Sequence, residues 1–190
     1  MSAYSSIHTR TSAPALGSYR VAVTGHWNLG DSATIAFVSQ AFSALLSQLL
    51  RDHPEGLVAL SGLALGADTL FAEAALTFGI PLEACIANHA VVEKYAPGTE
   101  REQHFRLRSR SRIVHELPFA ERCAESYVAL GHWLVDSSDL LIAAWNGEPA
   151  AKPGGTGDVV GMAQAAGRPV IHIHTLQRTI TMLTSESLPA

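Results

Sequence analysis

A glycine-rich segment, Pro153-Gly-Gly-Thr-Gly157, lies between an apolar run that begins at Leu140 and a helical pattern that continues to Gly167. The run predicts a buried strand and the pattern a helix starting near Thr156. Backbone N–H groups at a helix N-terminus bind phosphate, and glycine lets a ligand approach them closely. The segment therefore predicts phosphate binding by the backbone and side chains of Gly154, Gly155, Thr156 and Gly157.

Two simpler explanations apply to parts of this segment. A tight turn capped by Thr156 needs no ligand, although three glycines between Gly154 and Gly157 exceed what a turn requires. Lys152 supplies a cation for a phosphate, and a solvated lysine explains it equally well.

A second strand-to-helix turn has the same character. The apolar run from Leu57 to Leu60 ends in Ser61-Gly-Leu-Ala-Leu-Gly-Ala-Asp68, and a helical pattern follows. We expect Ser61, Gly62 and Gly66 to contact the ligand. For Asp68 two roles stay open: it holds the loop, or it contacts a ribose hydroxyl.

Two further loops complete the predicted site. Gly25 and His26 follow a first short strand, and Asn146 and Gly147 follow the strand that begins at Leu140. Loops at the carboxyl ends of strands are where ligands of such sheets bind. Trp27 is equally explained as a base-stacking residue or as an aromatic packed over its own loop.

The elements that must position these loops follow from the apolar spacing. Strands are predicted at 19–24, 57–60, 80–87, 113–117, from 140 and over 167–174. Helices are predicted from 31 or 32 to about 51, at 67–78, 120–135 and 156–166, with a charged helix-like segment in 93–112. Strands alternating with helices predict a Rossmann-like three-layer α/β/α domain with a mainly parallel sheet.

The composition fits a single domain of this kind. The chain has 190 residues, 47% hydrophobic and 16% charged. We expect a flexible lead-in over 1–18, one nucleotide-binding domain over 19–183 and a tail over 184–190. Cys85 and Cys123 have no metal-ligand spacing and indicate free thiols in a cytoplasmic protein. No apolar run approaches the ~20 residues of a membrane helix, so no membrane partner is expected.

Other polar residues give weaker signals. A net charge of −4 argues against nucleic acid as a partner. The arginines between Arg101 and Arg112 suit a solvated helix face better than a phosphate clamp. His172 and His174 alternate on the last strand but lack further ligands, so no metal is expected. The apolar side of the 120–135 helix offers a surface for a homodimer.

Three motifs, at 24–26, 61–68 and 153–157 along the chain, resemble those of the SLOG superfamily. Ser61-Gly-Leu-Ala-Leu-Gly-Ala-Asp68 resembles the signature of the DNA-processing protein A Rossmann domain. Pro153-Gly-Gly-Thr-Gly157 resembles the core of the lonely-guy phosphoribohydrolases. Thr24-Gly-His26 and the stretch from Val135 to Gly147 resemble an uncharacterised branch of the superfamily. The resemblance covers roughly Arg20 to Ile173 and implies binding of a nucleotide or an ADP-ribose-like ligand, with no cofactor required.

The resemblance departs from the enzymes at two positions. The phosphoribohydrolase motif continues with Thr and then, three residues later, a catalytic Glu, whereas this chain has Asp158 and Gly161. Whether the chain is an enzyme therefore stays open, with Asp158 and Glu148 as the candidate carboxylates. The alternatives to simple nucleotide binding are hydrolysis of the N-glycosidic bond of a nucleoside monophosphate and, ranked third, binding of single-stranded DNA.

Overall fold

The computed structural model describes residues 17–183. The predicted tail at 184–190 and all but the end of the predicted lead-in at 1–18 lie outside this range.

Within residues 17–183, strands and α-helices largely alternate, with seven strands and five α-helices. The strands are β1 Tyr19–Gly25, β2 Leu57–Ser61, β3 Leu82–Ile86, β4 Ile113–Glu116, β5 Leu140–Trp145, β6 Val170–His174 and β7 Thr179–Leu183. The helices are α1 Ser32–Asp52, α2 Ala67–Thr77, α3 Thr99–Arg110, α4 Ala124–Asp136 and α5 Thr156–Ala165, with a short 3-10 helix at His89–Lys94. The predicted α/β fold with a mainly parallel sheet is confirmed.

The sheet order places the site. Its seven strands run β4-β3-β2-β1-β5-β6-β7, and all neighbours are parallel except β6 and β7. The chain moves outward from β1 to β4 and then returns to pair β5 with the other side of β1. The strand order therefore reverses between β1 and β5, where open α/β sheets bind their ligands.

Apolar side chains cover the sheet on both faces. One core cluster joins Val21, Val23 and Ile142 to α1 and α2. The other joins Ala22, Leu141 and Ala143 to α4 and α5. Because the side chains of a strand alternate between faces, parallel strands buried on both sides read as continuous apolar runs.

Helix α1 corrects one expectation from the sequence. Its length and composition alone are sufficient for a membrane span, whereas no such segment was expected from the apolar runs. In this fold α1 covers the sheet, and Val38, Phe42 and Leu46 are fully buried in the core. Its apolar composition is therefore explained by packing.

One helix boundary was predicted wrongly, and one strand was not predicted. Helix α4 begins at Ala124 and not at Ala120, because the Phe119 carbonyl accepts the His89 N–H at 3.0 Å and Cys123 is still extended. Strand β7 was missed, since its residues are mostly exposed and lack a buried apolar run. A turn with Arg178 at φ 52° sends β7 back antiparallel to β6.

The apolar side of α4 is already used within the chain. Leu134 and Val135 are buried against the sheet, with Leu130 packed beside them. Part of the surface predicted for homodimer formation is therefore used by the chain's own core, and homodimer formation stays a prediction.

Candidate functional site

A histidine and an asparagine bridge the two strands where the sheet order reverses. The His26 N–H donates to the Ala144 carbonyl at 2.9 Å, which fixes the end of β1 against β5. The His26 Nε2 lies 3.1 Å from Asn146 Oδ1. That oxygen also accepts the Glu148 N–H at 3.2 Å, and the Asn146 backbone N–H donates to His26 Nε2 at 3.3 Å. Gly25, His26 and Asn146 thus form one wall of the crevice.

Gly25 and Gly66 allow β1 and the N-terminus of α2 to pack closely against each other. A Cβ on Gly25 would overlap the Ala67 side chain and lie 2.6 Å from the Ala144 oxygen. Gly66 has φ 81°, and a Cβ there would overlap the carbonyl oxygens of His26 and Trp27. The Ala67 N–H donates to the His26 carbonyl at 3.1 Å. The N-terminus of α2 is therefore packed directly onto the His26 loop.

The loop from Ser61 to Asp68 is held from inside by its own polar residues. Ser61 is fully buried; its hydroxyl accepts the Leu63 N–H at 3.0 Å and lies 3.3 Å from the Asp68 carbonyl oxygen, to which it donates. Asp68 is 6% exposed and its Oδ2 accepts the Ala64 N–H at 3.4 Å. This geometry corresponds to the loop-holding role for Asp68.

Burial changes the ionisation of this carboxyl group. Desolvation raises the pKa of Asp68 to about 7, against the opposing effect of hydrogen bonds from the Ala64 and Gly62 backbone amides. A neutral carboxyl group can also donate a proton, which an ionised one cannot. Asp68 is therefore a mixture of both forms near neutral pH.

Tyr95 and His104, which the sequence patterns did not single out, also hold the loop by bonding to Leu63. Leu63 has φ 53°, a left-handed conformation that a leucine rarely adopts. Its carbonyl accepts hydrogen bonds from the Tyr95 hydroxyl at 3.3 Å and from His104 Nδ1 at 3.2 Å. The sequence around Tyr95 gives no signal for this role, because the contact is made only in the folded chain.

The glycine-rich turn packs against α4. Gly154 has φ 78°, and a Cβ there would lie 2.6 Å from the Tyr127 carbonyl carbon. A Cβ on Gly155 would lie 2.9 Å from the Ala150 Cβ, and one on Gly157 would lie 2.8 Å from the Ala150 nitrogen. Close packing therefore requires all three glycines, with or without a ligand.

The polar residues of this turn have defined positions. Gly155 is the N-cap of α5, so the capping role considered for Thr156 is wrong; Thr156 is the first helical residue. The exposed Asp158 accepts the Gly154 N–H at 3.0 Å through Oδ2. Glu148 and Lys152 are exposed. The turn therefore presents two carboxylates and one cation near the N-terminus of α5.

Gly147 lies against the two histidines of β6. A Cβ on Gly147 would be 3.6 Å from His172 Cε1 and 3.6 Å from His174 Nε2. The rings of His172 and His174 are stacked at 5.0 Å, and His172 Nε2 bonds to the Trp145 carbonyl at 3.2 Å. Burial lowers the pKa of His172, so its ring is neutral at pH 7. This arrangement gives the pair a structural role in supporting the Asn146-Gly147 loop.

Most arginines of the 101–112 segment are paired with acidic groups or carbonyls. Arg106 pairs with Glu73, Arg108 with Glu116, and Arg112 with Glu83. Arg101 Nε donates to the Tyr95 carbonyl at 3.0 Å. Four of the five side chains that were considered for a phosphate clamp therefore have structural partners.

Strand order and connectivity together define a Rossmann-like α/β domain, and solved structures share this fold. DNA processing protein A from Streptococcus pneumoniae matches with a TM-score of 0.58 and 20% identity, over 83% of this chain and 50% of that chain. The single-stranded DNA-binding DNA processing protein A from Helicobacter pylori matches with a TM-score of 0.55 and 18% identity, over 81% and 64%.

A third solved structure is similar over more of its length. The molybdenum cofactor binding protein from Rippkaea orientalis matches with a TM-score of 0.50 and 16% identity, over 83% of this chain and 77% of that chain. This chain thus spans between half and two thirds of the DNA processing proteins. No protein-family model and no curated protein matches the sequence. The likeness establishes the fold, and the ligand must be argued from the site.

Proposed function

We propose that this domain binds a nucleotide or a nucleotide-derived phosphate, such as a nucleoside monophosphate or ADP-ribose, in the crevice between β1 and β5. The observation that carries the proposal is the reversal of strand order between these strands, bridged by His26 and Asn146. Helix α5 follows β5 after the loop at 146–155, and its N-terminal dipole favours a phosphate.

The residues around the crevice suit the parts of such a ligand. Lys152 and the backbone of Gly155, Thr156 and Gly157 offer positive charge and N–H groups to a phosphate. The carboxylate of Asp158 and the side chain of His26 offer partners for ribose hydroxyls. Because the three glycines are also needed for packing, the proposal rests on the placement of the turn and not on its glycine content.

Binding should raise the melting temperature of the protein. A panel of nucleoside monophosphates, ADP-ribose and dinucleotides, with ribose and inorganic phosphate as fragments, is screened by thermal shift. We expect at least one nucleotide to stabilise the protein more than either fragment, and Lys152→Ala to weaken its binding about threefold to tenfold, the range of a charge-assisted contact at an exposed site.

The matched control removes a cation from the opposite edge of the sheet. Arg51, in the last turn of α1, bonds to Ser47 and Gln48 and precedes the amino end of β2. Arg51→Ala should leave the nucleotide affinity unchanged. The same loss of affinity in both variants, or no stabilisation by any nucleotide, would contradict the proposal.

A hydrolase acting on the N-glycosidic bond of a nucleoside monophosphate is the second candidate, because Asp158 places an exposed carboxylate in the first turn of α5. Asp158→Asn keeps an oxygen for the Gly154 N–H and removes the negative charge. If the carboxylate takes part in the reaction, release of the free base falls by at least about a hundredfold. Base release that is unchanged in Asp158→Asn would exclude this role.

Single-stranded DNA binding ranks third. Helicobacter pylori DNA processing protein A binds single-stranded DNA, but here Arg106, Arg108 and Arg112 are engaged with carboxylates. A DNA backbone would have to compete with those pairs.

A further inference from the structure

A cavity of about 130 Å³ lies at the carboxyl ends of β3 and β4, beside α3. In the sheet, β2 separates this cavity from the crevice between β1 and β5. Its walls include the buried Asn88 and His104 and the aliphatic Val92. Phe105, Arg108 and Glu116 line it where side chains are more exposed, and the last two form an ion pair.

The asparagine in this cavity has a fixed orientation. Its Nδ2 group donates to Ser126 Oγ at 3.0 Å, and that hydroxyl donates its own proton to the Cys123 carbonyl at 2.8 Å. The Ser126 oxygen must therefore accept from Asn88, which makes Nδ2 the contacting atom. Oδ1 of Asn88 is then a buried acceptor, and it has no hydrogen-bond partner among residues 17–183.

The histidine in this cavity has a fixed tautomer for a similar reason. The Leu63 carbonyl can only accept, so His104 Nδ1 carries the hydrogen in their 3.2 Å contact. Burial lowers the pKa of His104, and the ring is neutral at pH 7. Its Nε2 is therefore a second buried acceptor, again without a partner in the described part of the chain.

We infer that this cavity is a binding site for a small, neutral, planar molecule that donates N–H hydrogen bonds, such as an aminopyrimidine or a primary amide. Two buried acceptors without donors cost free energy that such a ligand recovers. The internally paired Arg108 and Glu116 leave no net charge at the cavity to favour an ion. A cavity of about 150 Å³ admits benzene in another protein, so this one suits a single small ring or less.

Ligand binding here is independent of the proposed nucleotide site, but His104 connects the two regions. The residue lines the cavity, and its Nδ1 holds Leu63 in the loop before α2. A donor at Nε2 polarises the ring and strengthens the bond from Nδ1. A ligand in the cavity should therefore stabilise the Ser61–Asp68 loop. Any effect of this stabilisation on nucleotide affinity rests on the proposed function.

The test compares 4-aminopyrimidine with pyrimidine, which has the same ring and no N–H donor. Binding to the full chain is followed by NMR through the backbone amide signals around Asn88 and His104. We expect 4-aminopyrimidine to bind at least about tenfold more tightly, the factor given by one hydrogen bond of ordinary strength. Equal binding of the two rings, or no binding of either, would overturn the inference.

Two variants locate the ligand. His104→Phe keeps a ring and removes the acceptor, and it should weaken 4-aminopyrimidine binding at least about tenfold. Because this change also removes the bond to Leu63, Val92→Phe provides a second test by filling the cavity from its aliphatic wall. Val92→Phe should abolish binding, whereas Ile180→Phe on the exposed β7 should not.

The nucleotide screen separates this inference from the proposed function. Cavity binding with no nucleotide response supports the inference alone. Undiminished binding in a folded Val92→Phe variant contradicts it. A crystal soaked with 4-aminopyrimidine that shows only ordered water on the two acceptors would also contradict it.

Discussion

Replacing Gly66 with alanine is expected to lower the free energy of unfolding by about 3–5 kcal/mol, among the largest effects of any single substitution in this chain. The added Cβ would overlap the carbonyl oxygens of His26 and Trp27 and lie 2.7 Å from the Trp27 carbonyl carbon. Backbone atoms cannot rotate away as a side chain does. The residue also has φ 81°, where any residue with a Cβ is strained.

Chemical denaturation measures this effect, and Gly79→Ala is the matched control. Gly79 has a similar φ of 71°, but nothing lies within 4 Å of a Cβ placed there. Its substitution should cost only the strain of a left-handed alanine, about 1–2 kcal/mol. If the two variants lose the same stability, the contact between α2 and the His26 loop is not what requires glycine at position 66.

The fold was predictable because its main elements are encoded locally. Strands β1, β2 and β5 contain buried apolar runs, as in Leu57 to Leu60, and each is followed by a loop and a helix. The order of these units also brings their loops to one edge of the sheet. The predicted contact region around Gly25, His26 and Asn146 follows from this topology.

The functions of individual residues were less predictable because they depend on packing between distant segments. Gly154 fits against Tyr127, and Leu63 is held by Tyr95 and His104, none of which is near it in sequence. Ser61 has a hydroxyl suited to a ligand, yet in the fold it is fully buried and bonded within its loop. A motif indicates where a loop lies, but the tertiary contacts decide which of its groups face the crevice.

Asp68 links this packing to pH. Burial raises its pKa from 3.8 to about 7, so between these values the folded chain retains a proton that the unfolded chain has lost. Folding stability then falls as the pH rises through this window. The difference between the two pKa values corresponds to on the order of 4 kcal/mol, present below about pH 4 and lost by about pH 7.

Asp68→Asn should therefore remove most of this pH dependence. Asparagine keeps an oxygen to accept the Ala64 N–H but does not titrate. We expect the stability of the wild-type protein relative to Asp68→Asn to fall by about 3–4 kcal/mol between pH 4 and pH 8, measured by denaturant unfolding at each pH. Taking the difference between the two proteins cancels the titration of all other groups that Asp68 does not contact. A difference that stays constant over this range would show that Asp68 ionises at its ordinary pKa in the folded chain. If the wild-type protein instead becomes more stable relative to Asp68→Asn as the pH rises, the hydrogen bonds from the Ala64 and Gly62 N–H groups outweigh desolvation. Asp68 would then be a carboxylate ion in the folded chain.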